Sequence, residues 1–438
     1  MFRRIALIKP PERSIFNFGT FSLATIAAAV RDTATVSIED ATDLPIDQAS
    51  ARMLTLKPDL VGVTVMGTAS LKPAVHFVRQ LRFDESSDSG SPAKITVVCG
   101  GHGASCMPVD LLEAGADAVV IGEGEVTFRD IVENGIRPGA HGVACRVNGR
   151  LVIGPVQKLV FPLDRLPFPA RDLMPEPPDG VHLMETSRGC PHDCAFCETT
   201  RFYQRRWRPY CPERVAEEVR RLVENHDAWI IHFADDNFAA SPTRVLRICQ
   251  MLRQRNALPA FFMASARADD LLADPDLLPA MAAARILRVS VGVETLNAST
   301  AARVGKFISP DTYQTVFQRM RELGIFSVAS LIVGLPGESR MEKDRSVELT
   351  VRVGPDSAHF VPFLPLPGIP LTRRHDDREV KPEDARHACA LTTAFFQRPE
   401  VQARLKAAVR RGSVLGLLAR GTLENHCSAI SISPGLLS

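Results

Sequence analysis

The 438-residue sequence contains no apolar run long enough to cross a membrane as a helix. Leu23 to Val30, the longest apolar stretch near the start, is short and alanine-rich. The opening MFRRIALIKPPER places two arginines before only four apolar residues, Ile5 to Ile8. That run is too short for the core of a secretory leader, so it is expected to form a buried strand in a cytoplasmic protein. An excess of one charge is also missing: 52 Lys and Arg stand against 50 Asp and Glu, a net of +2. This balance excludes the broad basic footprint of a nucleic-acid-binding surface but not a small anionic substrate. There is no long internal repeat and no low-complexity tract. What is present, 45% hydrophobic and 23% charged residues, is ordinary for a soluble globular chain. The length is too great for one core and predicts two or three domains.

Short apolar runs alternate with helical patterns over the first part of the chain. Strands are expected at Ile5–Ile8, Val36–Ile38, Leu60–Val65, Ile95–Cys99 and Ala118–Ile121, with helices at Phe21–Val30, Leu71–Leu81, Val109–Glu113 and Val126–Glu133. This alternation predicts an α/β, doubly wound, Rossmann-like parallel sheet over residues 1–158. Phe83–Ala93, rich in Ser, Asp and Gly, reads as a surface loop. Residues 159–180 are dense in proline and read as a linker or strap. A second βα series follows over 181–372, with strands at Val181–Thr186, Ile230–Phe233, Ala260–Ser265, Leu287–Glu294, Phe326–Val333 and Ala358–Val361. Pro212, Pro242 and Pro310 stand where the intervening helices would begin. Six strands with helices between them predict an open sheet or a partial barrel, followed at 373–438 by a small, mostly helical C-terminal segment.

Of the ten cysteines only three are clustered. Residues 187–198 read SRGCPHDCAFCE, a Cys-x3-Cys-x2-Cys spacing directly after a strand. Three soft thiolates on one short loop, Cys190, Cys194 and Cys197, suit three irons of a cubane and leave the fourth iron open. A zinc knuckle is the alternative. It wants a fourth ligand, but His192 lies inside the loop and Cys211 stands alone. The seven other cysteines read as small buried apolar residues.

The cysteine loop resembles the signature of the radical S-adenosylmethionine (SAM) superfamily, and the resemblance extends over about Val181 to Leu371. It implies a [4Fe–4S] cluster whose open iron is chelated by SAM, and reductive cleavage of SAM to a 5′-deoxyadenosyl radical. Residues at the matching strand ends are then implied to contact SAM: Phe196, Asp235 and Asp236 in IHFADDNF, Arg267 in ASARAD, Glu294 in VGVET, Lys306, and Gly334 in LIVGLPGE. Carboxyl ends of parallel strands are where ligands bind in such sheets. Four of these have a plainer reading: helix caps for Asp235 and Asp236, an ion pair for Arg267, a tight turn for Gly334.

The first domain carries glycine-bearing strand ends at VTVMGTAS, CGGHG and IGEGE. Ahead of a radical SAM domain these resemble the cobalamin-binding domain of the B12-dependent radical SAM class. Thr64, Gly67, Thr68, Ser70, Gly100, Gly101, His102, Gly122, Glu123, Gly124 and Glu125 are the implied contacts. The Asp-x-His-x-x-Gly motif that supplies a histidine ligand to cobalt is missing, and His102 follows the fourth strand, so cobalamin is expected to bind without that ligand. A domain of this fold that holds nothing is the alternative. The resemblance implies methylation of an unactivated carbon of a small-molecule substrate, with an electron donor such as flavodoxin or ferredoxin. A non-methylating cyclisation or rearrangement, as in the anaerobic porphyrin-ester cyclase group, and a non-catalytic cobalamin and cluster sensor are the other readings. No catalytic side chain is assigned. His359, Phe363 and the FLPLPG segment are candidate pocket features equally well explained by packing and a turn.

Overall fold

The computed structural model describes residues 2–12, 19–87, 94–177, 180–255, 258–259, 261–372, 380–410, 416, 418–420 and 422. Two compact units divide the chain, one over residues 1–177 and one from 178 onward, with residues 366–368 and 374–378 belonging to the first.

The first unit is built on strands β1 (Arg4–Lys9), β2 (Thr35–Asp40), β3 (Leu60–Thr64), β4 (Thr96–Gly100), β5 (Ala118–Val120), β6 (Val143–Val147) and β7 (Arg150–Ile153). They lie in the order β2-β1-β3-β4-β5-β6-β7. The first five are parallel. Alternation along β1 shows why both faces need cover. Ile5 and Leu7 join a core with Leu23, Ala27 and Phe128, while Ala6 and Ile8 join another with Met53, Phe77 and Val78. This is the doubly wound arrangement the alternation predicts. Two antiparallel strands extend it: β6 pairs with β5, and β7 with β6. The sequence reading missed this hairpin although Asn148-Gly149 marks it. Both residues have positive φ, 50° and 78°, as a tight hairpin turn requires.

The segment read as a loop from Phe83 is helical as far as Ser87, the end of the helix Thr68–Ser87. Its polar residues fall at helical spacing: Gln80 donates to Asp84 at 2.8 Å and Arg82 pairs with Glu85 at 2.8 Å. Residues 88–93 lie outside the described residues. The proline-dense stretch folds onto the first unit rather than standing free. Ala170 N–H donates to the Ala24 carbonyl at 3.0 Å, and Arg31 pairs with Asp172 at 2.8 Å.

The second unit contains β8 (Val181–Met184), a short antiparallel pair β9 (Ser187–Arg188) and β10 (Arg208–Pro209), then β11 (Ile230–Phe233), β12 (Phe261–Ala266), β13 (Ile286–Glu294), β14 (Phe326–Val333) and β15 (Ser357–Pro362). The six main strands are parallel and follow one another in space as in sequence, β8-β11-β12-β13-β14-β15. Helices Pro212–His226, Pro242–Arg253, Leu277–Ala283, Pro310–Glu322 and Arg340–Val353 fill the connections. Ser309 caps one of them, and Ser339 with Glu342 forms a capping box on another. Strand, helix, strand in unbroken spatial order is the partial-barrel pattern. Fully buried residues on these strands (Val289, Val291 and Ala329 among them) alternate with half-buried ones such as Ser290, Gly292 and Ser330. Helices Pro382–Phe396 and Pro399–Arg410 form the described C-terminal segment. Ala388, Leu391 and Phe395 bury one helical face, and Phe395 sits 6.4 Å from Phe360 of β15. Among the described residues no helix is long and apolar enough to cross a membrane.

Candidate functional site

The cysteine loop leaves β9 and is held at both ends by one carboxylate. Asp236 accepts from the Gly189 amide at 2.9 Å, directly before Cys190, and from the Thr199 hydroxyl at 3.0 Å, two residues after Cys197. Gly189 has φ +83°, and a Cβ there would lie 2.2 Å from the Arg206 carbonyl oxygen. Only glycine admits this close approach. Inside the loop, Cys197 N–H donates to the Cys194 carbonyl at 3.0 Å.

Asp235, read as a possible SAM contact, is turned to another task. Its carboxylate accepts from Thr186 N (2.6 Å), Thr186 Oγ1 (2.5 Å) and Ser187 Oγ (2.7 Å). Burial raises its pKa, and the Thr186 bonds and the Arg244 charge oppose the rise. Buried Arg244 also donates to the Thr186 carbonyl. Asp235 therefore braces the strand end that launches the loop. Neither aspartate caps the next helix, whose N-cap is Ser241.

Three further implied residues gather at the Cys194 end. Arg267 Nη1 lies 3.6 Å from Cys194 Sγ, with its guanidinium held by Asp269 at 2.8 and 3.0 Å. Lys306 Nζ donates to Glu294 Oε1 at 2.9 Å; Lys306 is buried and Glu294 half-buried. Ala195 N–H donates to the Val304 carbonyl at 3.0 Å, which ties the loop to the turn that carries Lys306. Glu294 sits at φ +63°, beside a register shift between β13 and β14. Non-glycine residues seldom take that conformation without a surrounding structure that enforces it. Phe196 is half-buried in the loop.

Sequence reasoning missed a supporting pair. His192 Nε2 lies 2.9 Å from Asp270 Oδ2, and Asn237, fully buried, donates to the same oxygen at 2.6 Å. The doublet of acids after Arg267 was the available signal.

Gly334 departs from its reading as a site of ligand approach. A Cβ there would lie 2.3 Å from the Asp384 carboxylate, and the Gly334 amide donates to Glu338 at 2.8 Å. The space beside Gly334 is taken by the C-terminal helix.

The donor set fits an iron–sulfur cluster. Burial raises the Cys190 and Cys194 thiols, and pushes Cys197 up to about 11. Thiols this desolvated stay protonated at neutral pH unless a metal displaces the proton. A cubane gives each thiolate its own iron, and the three cysteines lie on one short loop.

In the first unit the implied contacts lie on the loops after β3, β4 and β5. Gly101 (φ +114°) and Gly103 pack backbone against backbone: their added Cβ atoms would meet Val65 O at 2.6 Å and Gly67 O at 2.7 Å. Gly124 packs against Ile26. Gly67 and Gly122 face open space. Ser105 accepts from Gly122 N at 3.0 Å and donates to Gly101 O at 2.8 Å, which joins two of the loops. Thr64, Ser70, Glu123 and Glu125 are buried at these strand ends. Thr68 opens the long helix that follows β3, His102 opens the short helix after β4, and Gly100 ends β4. The faces of Gly67 and Gly122 are open, which leaves room for a ligand beside these loops.

Comparison with known proteins agrees with both halves. The radical SAM superfamily profile matches residues 184–350, and the B12-binding domain profile matches residues 16–132. An uncharacterized methyltransferase, PH0819 of Pyrococcus horikoshii, is 29% identical over 84% of this chain and 82% of its own. The anaerobic magnesium-protoporphyrin IX monomethyl ester cyclase of Rubrivivax gelatinosus is 28% identical over 77% of this chain; the match spans 62% of that protein. The structure of the radical SAM methyltransferase TsrM from Kitasatospora setae shares the fold, with TM-score 0.69 and 18% identity over 84% of this chain and 75% of that one. A cysteine loop suited to a cluster, a sequential parallel barrel and a doubly wound domain before it are thus found together with both profiles, and the chain belongs to the cobalamin-binding branch of the radical SAM superfamily.

Proposed function

We propose that this protein methylates an unactivated carbon of a small molecule in the cytoplasm, drawing electrons from a flavodoxin- or ferredoxin-like donor. When bound, SAM at the cluster supplies a hydrogen-abstracting radical and cobalamin supplies the methyl group. The chain's own residues hold and orient. Cys190, Cys194 and Cys197 would take one iron each, and Asp236 would keep the loop closed around them. Arg267 sets a positive charge beside Cys194, suited to a carboxylate such as that of SAM. Glu294 and Lys306 offer an acceptor and a donor fixed by their mutual ion pair, and Phe196 shields the loop from water. Asp235 acts through Thr186 and Ser187. On the loops of residues 1–158, Gly67 and Gly122 would face cobalamin, with Thr64, Ser70, Glu123 and Glu125 shaping the floor.

The observation that carries this reading is the gathering of Arg267, Glu294 and Lys306 at the Cys194 end of the loop. Likeness to PH0819 over most of both chains favours methyl transfer. Likeness to the Rubrivivax cyclase keeps an oxidative ring closure as the second reading. Anaerobic incubation of reconstituted protein with SAM, cobalamin and a reductant separates the two. S-adenosylhomocysteine together with 5′-deoxyadenosine supports methyl transfer, whereas 5′-deoxyadenosine alone supports ring closure or rearrangement.

A further inference from the structure

The half-buried faces of the barrel strands carry polar side chains that the cofactor site does not use. In register, His232 of β11 neighbours Met263 of β12, which neighbours Arg288 of β13. Ser265 pairs with Ser290 two residues further on, and Ser330 of β14 pairs with His359 of β15. Side chains two apart on a strand share a face, so Arg288, Ser290 and Gly292 line one side of β13 with Glu294 above them.

Arg288 stands out chemically. No carboxylate reaches it: among the described residues its guanidinium has no ion pair and no hydrogen bond, and burial alone lowers its pKa. Its charged influence falls on two imidazoles, His232 and His359, and both are also neutralised by burial. Arg288 and His232 are half-buried, reached by solvent yet enclosed by protein on most sides, whereas His359, on the edge strand β15, is exposed. Arg288 and His232 therefore form the sheltered part of this face. The hydroxyls of Ser265, Ser290 and Ser330 likewise make no side-chain hydrogen bond among the described residues. A desolvated cation with neutral donors around it and no internal anion costs free energy that an incoming anion would repay.

We propose that Arg288, with His232 level with it in register and His359 further along the same sheet, is the anchor for an anionic oxygen-rich head group of the substrate, a carboxylate or a phosphate. The assignment rests on the reading of this barrel as a substrate-transforming site. The planar guanidinium presents a fork matched to either group. Glu294 stands six positions after Arg288 on β13, a rise of roughly 20 Å along the strand. The substrate is therefore an elongated acid whose anionic end lies far from the reacting carbon.

The test needs neither SAM nor turnover. The full chain, with cluster reconstituted, is treated with phenylglyoxal at constant ionic strength, and modification of each arginine is read by peptide mass spectrometry. Inorganic phosphate and butyrate are the two probes, with chloride as control. Near saturation the effective anion should slow modification of Arg288 about tenfold, with exposed Arg247 unchanged. Protection by phosphate alone assigns a phosphate head group, and protection by butyrate alone a carboxylate. Arg288→Met should remove the matching thermal stabilisation. If neither anion protects Arg288, or if the Met variant keeps the full anion response, the proposal is wrong. Failure to form S-adenosylhomocysteine would instead count against methyl transfer and leave this result standing.

Discussion

Lys306 and Glu294 meet across the space left by Gly292: the ammonium donates to the carboxylate at 2.9 Å, and a Cβ on Gly292 would lie 2.5 Å from Glu294 Oε1 and 2.9 Å from Lys306 Nζ. Gly292→Ala should therefore part the pair without unfolding the barrel. We expect about a tenfold loss in SAM affinity, the order of one well-placed charged hydrogen bond, with little change in circular dichroism. Unchanged affinity by equilibrium dialysis would remove the pair from the cofactor site.

The Asp236 clasp predicts a separable defect in cluster retention. Asp236→Ala frees the Gly189 amide and the Thr199 hydroxyl together. Loss of such supporting partners commonly costs on the order of tenfold to a hundredfold in metal affinity. Iron and sulfide should fall on gel filtration after reconstitution, while the urea midpoint of the protein stays close to wild type.

Cys194→Ala should abolish the brown chromophore near-completely, since two thiolates cannot hold the cubane stably. Full retention of iron and sulfide in that variant would refute the ligand assignment.

In the first unit two glycines should behave oppositely. Gly101→Ala forces a Cβ to 2.6 Å from the Val65 carbonyl oxygen at φ +114°, which should cost about 2–4 kcal/mol of stability. Gly67→Val meets open space and should cost under about 1 kcal/mol while lowering cobalamin retention. Urea melts and the visible spectrum of bound cobalamin read the two effects separately. A Gly67→Val protein that keeps full cobalamin would mean that Gly67 does not face the cofactor.

His232 predicts a pH dependence of stability. Burial, with a smaller effect of the Arg288 charge, pushes its imidazole down to about 4. The unfolded chain, with ordinary imidazoles, binds protons first as pH falls. Stability is thus intact above about pH 6.5 and lost progressively towards pH 4. The His232→Gln protein should show a flatter urea midpoint between pH 7 and 5. Equal slopes for the two proteins would show that this imidazole is not desolvated.

Much of this protein is written locally. Apolar runs bounded by glycine and proline located the parallel strands of both units; in the first unit a strand such as Leu60–Thr64, covered on both faces, is continuously buried. The cysteine spacing marked the cluster loop, because one short loop must supply all three thiolates. The resemblance to the radical SAM signature named Arg267 and Glu294 at strand ends and Lys306 beyond the next helix. The hairpin at Asn148-Gly149 was equally local, and was missed only because the parallel pattern before it drew the reading.

Other features had no local signature. That Asp235 braces Thr186 while its neighbour Asp236 clasps the loop depends on which way two adjacent carboxylates turn at a strand end. Composition is the same for both, so only the packed strands decide. The contact of Gly334 with Asp384 joins residues fifty positions apart in sequence, and the sequence shows no trace of it. Arg288 looks like an ordinary charge in an apolar strand until five other strands join its sheet and, among the described residues, no carboxylate pairs with it. Residue type and spacing determined the chemistry the chain can hold. Burial and partnership, which exist only once the barrel has formed, decided which of those groups are already engaged and which are left to meet a ligand.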